Sequence, residues 1–184
     1  MITLIIGPMF SGKTTRLVHE IDRARIARKR CVIVKYREDM RYNDVADPSQ
    51  NIITHGKTVY SGVPIILTTT LGDIESSITA NYDVIGVSET QFYADAAEKI
   101  AQWAAAGKII VAEGLNGTWQ QTVFPQIAAL IPHAEHIIKL TAICQKCGSD
   151  SGNYSHLTTH SGDLVQIGGA EKYSARCRAC FDAD

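Results

Sequence analysis

Near the start of the chain, one stretch decides the fold, and it reads Ile2-Thr3-Leu4-Ile5-Ile6-Gly7-Pro8-Met9-Phe10-Ser11-Gly12-Lys13-Thr14. Its first five residues are mostly apolar and β-branched, which is typical of a buried strand. Its last eight residues match the pattern G-x-x-x-x-G-K-[ST]. Apolar residues then recur at helical spacing, at positions 17, 18, 21 and 24. A strand, a glycine-rich loop and a helix thus follow one another in the order that a phosphate-binding loop requires.

The glycine-rich loop predicts a site for a nucleoside triphosphate. Glycines let backbone N–H groups and the helix N-terminus face phosphate oxygens. We expect Lys13 to reach the β and γ phosphates and the hydroxyl of Thr14 to bind Mg²⁺. The ATP-binding residues predicted from the loop are Gly7, Pro8, Met9, Phe10, Ser11, Gly12, Lys13 and Thr14. The alternative is an ordinary glycine-rich turn between a strand and a helix.

Three further short apolar runs, at 31–34, 84–87 and 109–112, predict the rest of a sheet. They are rich in β-branched residues and do not alternate with polar ones, as expected for strands buried on both faces of a parallel sheet. Between the last two runs, apolar residues recur at helical spacing over 96–104. We therefore predict an α/β domain with a doubly wound parallel sheet flanked by helices.

Length and charge limit the possible partners. The 184 residues suit one domain, or one domain with a small appendage. Lys and Arg total 18 and Asp and Glu total 19, so no net field favours nucleic acid or an anionic membrane. The first apolar run is short and has no basic region before it, unlike a signal peptide or a membrane span. We expect a cytoplasmic protein with neither nucleic acid nor a membrane as partner.

Two polar segments, 37–58 and 148–172, are predicted to be long loops. Loops of this length inside compact domains are usually functional or disordered. The second segment lies between two cysteine pairs.

Four of the five cysteines form two C-x-x-C pairs, Cys144 with Cys147 and Cys177 with Cys180. Two such pairs present four thiolates from two turns, which is the donor set of a tetrahedral Zn²⁺ site. We therefore predict structural zinc bound by all four. The alternatives are a redox-active C-x-x-C pair and reduced cysteines without a role. Cys31, within an apolar run, is predicted to be a small buried residue.

After the strand at 84–87, an aspartate of the magnesium shell is expected, but the sequence has Ser88. A serine hydroxyl can bind a metal-bound water but supplies no charge. The next residue, Glu89, lies where open α/β sheets place catalytic groups. We predict that Glu89 is a general base for an acceptor hydroxyl. The alternative is a carboxylate that only pairs with Lys13 or Arg41.

Several longer motifs are spread over nearly the whole chain. Besides the loop at 7–14, they are Val34-Lys35-Tyr36, Asp39-Met40-Arg41-Tyr42, Glu89-Thr90-Gln91-Phe92, Gly117-Thr118-Trp119-Gln120, Lys139-Leu140-Thr141-Ala142-Ile143-Cys144 and Ile167-Gly168-Gly169-Ala170-Glu171-Lys172-Tyr173. With these motifs the chain resembles the type II thymidine kinases, the cytosolic zinc-containing family.

The resemblance implies a fold and an activity. The fold would be a P-loop NTPase-like (RecA-like) domain at 1–140 followed by a zinc-binding lasso domain at 141–184. The activity would be transfer of the ATP γ-phosphate, with Mg²⁺, to the 5′-hydroxyl of thymidine or deoxyuridine in deoxynucleotide salvage. It also implies a homotetramer and feedback inhibition by thymidine triphosphate.

The resemblance assigns further residues. Glu89 falls on the general base of the family. Further ATP-binding residues would be Asp39, Met40, Arg41, Ser88 and Gln91. The lasso, and residues near it, would hold the nucleoside through Met9, Phe92, Leu115, Trp119, Phe124, Leu164, Val165, Gln166, Ile167, Gly168 and Tyr173.

Three departures from the family pattern keep a second hypothesis open. Ser88 replaces the magnesium-shell aspartate, Trp119 stands where phenylalanine is usual, and Asn116 stands where aspartate is common. The alternative is a weakly active or inactive copy kept for assembly, because Ser88 lacks charge. A zinc-ribbon P-loop ATPase acting on nucleic acid is a third hypothesis, which the near-zero net charge disfavours.

Overall fold

The computed structural model of the protein describes residues 1–39, 47–54, 56–158 and 168–183. These residues form ten strands: β1 (Ile2–Gly7), β2 (Cys31–Tyr36), β3 (Ile52–Ile53), β4 (Val59–Tyr60), β5 (Ile65–Thr68), β6 (Val84–Val87), β7 (Ile109–Leu115), β8 (His136–Lys139), β9 (Tyr154–Leu157) and β10 (Tyr173–Arg176). Six of them build a central sheet in the order β5-β2-β6-β7-β1-β8. Every neighbouring pair in this sheet is parallel, which confirms the predicted fold class.

Helices connect the strands of the sheet. The described residues form five α-helices: α1 (Lys13–Ile26), α2 (Glu75–Asn81), α3 (Ala96–Ala105), α4 (Pro125–Leu130) and α5 (Arg178–Asp182). The helix predicted over 96–104 is α3, and it joins β6 to β7 as a crossover. Single turns of 3₁₀-helix lie at Gly72–Ile74, Thr90–Phe92 and Ile131–His133.

The core lies on both faces of the sheet, because successive side chains of a strand point to opposite sides. On one face, Leu17 and Ile21 of α1 pack with Val111 of β7. On the other face, Trp103 of α3 packs in a cluster with Ile110. All five of these side chains are buried. Cys31 also lies in the first cluster, 6% exposed, as predicted.

The prediction of two long loops was wrong in part. Within 37–58, Ile52–Ile53 forms β3, which pairs antiparallel with β4 (Val59–Tyr60) directly after that segment. Within 148–172, β9 forms and pairs antiparallel with β10. In both places short β-branched or aromatic runs form strands although polar residues surround them, because a partner strand lies next to each.

The C-terminal part contains β9, β10 and α5, and an isolated antiparallel bridge pairs Ala142, which follows β8, with Gly152, which precedes β9. The domain boundary at residue 140 stays a prediction. Six residues that were predicted to bind substrates lie outside the described residues. They are Met40, Arg41 and Leu164 to Ile167. Over the ranges that are described, no helix is long and apolar enough to cross a membrane.

Candidate active site and metal centre

An open cleft with a volume of about 190 Å³ lies at the carboxyl ends of the parallel strands, where open α/β sheets place their ligands. The predicted glycine-rich loop forms one wall, and the hairpin region β3–β4 contributes to another. The residues that line the cleft are Met9, Phe10, Gly12, Lys13, Thr14, Thr15, Lys35, Ile52, Ile53, Thr54, Gly56, Ser88 and Glu89. The structure thus brings the predicted phosphate loop and the predicted general base to one site.

The loop after β1 has the backbone shape of a phosphate cradle. Gly12 has φ 79° immediately before α1, a left-handed conformation that glycine adopts at little cost. Phe10 is also left-handed, with φ 66°, which turns the chain around the loop. Inside the loop, Ser11 Oγ and Lys13 Nζ each donate to Pro8 O at 2.9 Å. The buried Lys13 therefore places a positive charge within the loop.

Gly7 has no room for a side chain at the start of the loop. A Cβ built there would lie 2.5 Å from Ser11 Oγ and 2.9 Å from Leu140 O. The backbone N–H of Leu140, the residue after β8, also donates to Ile6 O at 2.8 Å, so the chain after β8 lies against the end of β1. A glycine is required here for close approach and not for a left-handed φ.

The C-terminal part also holds the loop. The backbone N–H of Met9 donates to Ser155 Oγ of β9 at 2.9 Å, across 146 residues of sequence. Asn116 Nδ2, after β7, donates to Asn153 O at 3.3 Å. The segment between the cysteine pairs is thus hydrogen-bonded to the phosphate loop and to the residue after β7.

A carboxylate that the sequence did not suggest lies beneath the cleft. Glu113 of β7 is fully buried, and its Oε1 accepts a hydrogen bond from Ser88 Oγ at 2.8 Å. The same oxygen accepts from the backbone N–H of Glu89 at 3.3 Å and from Thr14 Oγ1 at 3.4 Å. Glu113 therefore touches the predicted magnesium ligand, the residue at the expected aspartate position and the predicted base.

The charged form of Glu113 is costly in this position. Burial, with the nearby carboxylate of Glu89, raises the pKa of Glu113 to about 7. The charge of Lys13 and the hydrogen bond from Ser88 oppose this increase in the pKa. Its second oxygen, Oε2, is buried and has no hydrogen-bond partner among the described residues. An oxygen of this kind has capacity for a cation or for a water bound to one.

Glu89 is held at a sharp turn after β6. Its backbone is left-handed, with φ 54°, an uncommon conformation for a residue with a side chain. Its Oε2 accepts a hydrogen bond from Gln91 Nε2 at 2.5 Å, and Gln91 Oε1 accepts one from the backbone N–H of Leu115 at 3.1 Å. Gln91 thus ties the predicted base to the end of β7. Strain at a position with this many constraints is typical of functional sites.

The four cysteines of the two C-x-x-C pairs come together, although 29 residues separate the pairs. Their four Sγ atoms all lie within 4.8 Å of one another. Cys147 Sγ and Cys177 Sγ are 3.7 Å apart. Tetrahedral Zn–S bonds of about 2.3 Å would separate the sulfurs by about 3.8 Å, so the donor set fits zinc. Backbone N–H groups, that of Cys177 first, lower the pKa of Cys144 to about 6, which favours the metal-binding thiolate.

Comparison with known proteins gives the family. The family model for thymidine kinase matches residues 1–181. This chain belongs to the thymidine kinase family. It is 40% identical over 183 residues to thymidine kinase 1 of Dictyostelium discoideum, covering 100% of this chain and 78% of that one. It is 39% identical over 180 residues to the thymidine kinase of Myxoma virus (strain Lausanne), covering 98% and 95%. The thymidine kinase of Acanthamoeba polyphaga mimivirus is 34% identical over 183 residues, covering 98% and 81%.

The residues that the thymidine kinase resemblance assigned to the nucleoside occupy different places. Phe92 stacks at a tilt on Tyr36, with 5.2 Å between ring centroids. Phe124 packs in the core and is 7% exposed, while Leu115 packs against the same core cluster. Trp119 is half-buried, and its Nε1 has no hydrogen-bond partner among the described residues. Their contacts with a nucleoside stay a prediction.

Three further predicted residues lie near segments of the chain that are not described. Asp39 is half-buried, and its backbone N–H donates to Tyr36 O at 3.1 Å. Tyr173 begins β10 and is buried, and Gly168 is buried at the beginning of the last described segment. Their contacts with nucleotide or nucleoside also stay predictions.

Sequence reasoning missed Glu113 and Ser155. Glu113 is the only charged residue in the run Ile109–Leu115 of this thymidine kinase family member, and this could have marked it. A carboxylate at the end of an apolar strand is costly to bury, so it indicates a function or a partner. No comparable sequence signal distinguishes Ser155, because serine is common in polar segments.

Proposed function

We propose that this protein transfers the γ-phosphate of ATP to the 5′-hydroxyl of thymidine or deoxyuridine, as a kinase of deoxynucleotide salvage. The observation that carries the proposal is the thymidine kinase family match over nearly the whole chain. The cleft supports it, because the phosphate loop and Glu89 both line it. Thymidine and ATP, with its magnesium, are the substrates.

The phosphate loop binds ATP through its backbone N–H groups and the charge of Lys13. Thr14 binds the magnesium that enters with ATP. Glu89 accepts the proton of the 5′-hydroxyl as the 5′-oxygen bonds to the γ phosphorus. The bond between this phosphorus and the bridging oxygen breaks, and ADP leaves. Gln91 orients the Glu89 carboxylate through the 2.5 Å hydrogen bond.

The nucleoside lies between the end of β7 and the C-terminal part in this proposal. Apolar and aromatic side chains surround the base, and main-chain groups of 164–168 hold its polar edge. Closure of this segment would exclude water from the transferred phosphoryl group. The residues concerned are Met9, Phe92, Leu115, Trp119, Phe124, Leu164, Val165, Gln166, Ile167, Gly168 and Tyr173.

Structural zinc, a homotetramer, inhibition by thymidine triphosphate and a cytoplasmic location complete the proposal. Zinc would be bound by Cys144, Cys147, Cys177 and Cys180, whose sulfurs lie within 4.8 Å of one another. Neither nucleic acid nor a membrane is a partner, which the formal net charge of −1 supports. The alternative of an inactive copy has no observation in its favour, since a buried carboxylate lies 2.8 Å from Ser88.

The experiment is an assay of ADP release with and without thymidine, on zinc-loaded protein. We expect thymidine-dependent release, and Glu89→Gln should lower kcat by about 10²- to 10⁴-fold, because a general base is lost. ATP affinity, measured by calorimetry, should remain. Glu98→Gln, on the exposed surface of α3, is the matched control. ADP release that ignores thymidine would overturn the substrate, and full activity of Glu89→Gln would overturn its role.

Zinc is tested separately by metal analysis and hydrogen exchange. Because structural zinc contributes directly to folding, we expect Cys147→Ser to lose zinc and to lose amide protection in β9 and β10. The central sheet should keep its protection, since its core does not include the cysteine cluster. Cys31→Ala is the control and should keep one zinc per chain. Unchanged protection of β9 in the zinc-free variant would contradict a folding role for the metal.

A further inference from the structure

At position 88, directly after β6, the chain has serine where a magnesium nucleotide needs an acidic side chain, and the neighbouring strand β7 carries one. In the parallel register of the two strands, Val87 pairs with Ala112. The next residues, Ser88 and Glu113, are therefore side by side, and Ser88 Oγ donates to Glu113 Oε1 at 2.8 Å. The carboxylate nearest to position 88 across the sheet thus belongs to β7.

We propose that Glu113 supplies the carboxylate of the magnesium shell of MgATP, and that Ser88 positions it. The proposal rests on the proposed kinase function, in which MgATP binds the phosphate loop. Mg²⁺ in nucleotide sites keeps several waters and uses one or two carboxylates besides the phosphates. In P-loop proteins the magnesium is held by the loop Ser or Thr together with a nearby acidic residue.

The contacts of Glu113 match this role. Its Oε1 lies 3.4 Å from Thr14 Oγ1, the predicted magnesium ligand. Its Oε2 is buried and has no hydrogen-bond partner among the described residues. On the same face of β7, Val111 packs in the cluster formed with α1, so Glu113 continues a row that faces the start of that helix. The row therefore leads from the apolar core to the phosphate loop.

A purely structural role explains Glu113 poorly. An apolar residue or a glutamine at this position would avoid burying a charge, and replacing a buried charge in this way is often neutral or stabilising. Three donors converge on one oxygen and leave the other without a partner. This arrangement fixes the direction of the carboxylate without satisfying it, as expected for a group that binds a ligand.

The test measures ATP binding by calorimetry, with Mg²⁺ and with EDTA, in the absence of nucleoside. Glu113→Gln keeps the shape of the side chain and removes its charge. Loss of a group in the metal shell should weaken MgATP binding about 10- to 100-fold. Binding of metal-free ATP should change less than about twofold, since the phosphate contacts remain. Glu98→Gln is the matched control and should behave as the wild type in both titrations.

A second variant returns the carboxylate to β6. Glu113→Ala combined with Ser88→Asp should recover most of the Mg²⁺-dependent affinity that Glu113→Ala loses, which a structural role would not produce. Equal weakening of MgATP and metal-free ATP would overturn the proposal, because Glu113 would then act on Lys13. Unchanged MgATP affinity in Glu113→Gln would also overturn it. These titrations need no thymidine turnover, so failure of the proposed activity is a distinct result.

Discussion

The charged residues at the two ends of β6 lie in opposite environments. At its amino end, Arg30 and Asp83 form a bidentate pair, with Nη2–Oδ1 at 2.7 Å and Nε–Oδ2 at 3.1 Å. Both side chains are exposed, 58% and 36%. At its carboxyl end, Ser88 and Glu113 are buried, and one carboxylate oxygen has no partner among the described residues. At the amino end, opposite charges form an exposed ion pair. At the carboxyl end, a carboxylate is buried, where its charged form is unfavourable.

The pKa values follow this contrast. The hydrogen bond from the Arg30 guanidinium, and then that from its backbone N–H, lowers the pKa of Asp83 far below its ordinary range. Burial raises the pKa of Glu113 instead. At neutral pH, the Arg30–Asp83 pair at the amino end therefore stabilises the folded state, whereas the buried carboxylate of Glu113 at the carboxyl end destabilises it. Buried ionisable groups that destabilise the fold in this way are concentrated at functional sites.

The largest effect on stability is expected from Glu113→Gln in the ligand-free protein. The pKa of Glu113 rises from 4.5 when unfolded to about 7 when folded. Its favourable contribution is thus complete below pH 4.5 and is lost as the pH rises through 7. Relative to wild type, the variant should gain on the order of 2–3 kcal/mol between pH 5 and pH 8. Urea unfolding at the two pH values measures the difference.

The two charged residues nearest to Glu113, Glu89 and Lys13, provide a control for this measurement. Glu89 raises the pKa of Glu113 and Lys13 lowers it, so Glu89→Gln should reduce the pH-dependent gain but keep its sign. A free energy difference between wild type and Glu113→Gln that is equal at pH 5 and pH 8 would mean that Glu113 does not titrate in this range.

A smaller effect of opposite sign is expected at the amino end of β6. Asp83→Asn removes the charge that pairs with Arg30, so it should lower the free energy of unfolding at pH 7. Because the folded pKa of Asp83 is lowered, its contribution is present above the unfolded value and is lost as the pH falls. The difference from wild type should shrink at pH 3 and also at high salt, since the pair is exposed. Stabilisation by Asp83→Asn at pH 7 would contradict the contrast between the two ends.

Much of the fold could be predicted from local patterns. The strand at the start, the glycine-rich loop, α1 and the crossover α3 were all visible, because runs of apolar residues and helical spacing are properties of neighbouring residues. The strands β5 and β8 at the sheet edges were not predicted. In β8, Ile137 is 46% exposed, so its apolar residues do not form the continuous buried run that marked the central strands.

The candidate site divides in the same way. The phosphate loop and the four cysteines were recognised from the spacing of residues along the chain. The structure brings the cysteine sulfurs within 4.8 Å of one another. Glu113 and Ser155 act through partners far away in sequence, 25 residues to Ser88 and 146 residues to Met9. No local pattern contains such a pair.

The sequence by itself predicted a nucleotide site after the first strand and a cluster of four thiolates, and it determined that position 88 lacks a charge. The tertiary structure alone decided where a carboxylate lies in its place. The parallel register of β6 and β7 sets residue 113 beside residue 88, and α1 brings Thr14 to the same oxygen. Register between strands depends on packing of the whole sheet, which is why a site that looked incomplete in sequence holds its carboxylate on the next strand.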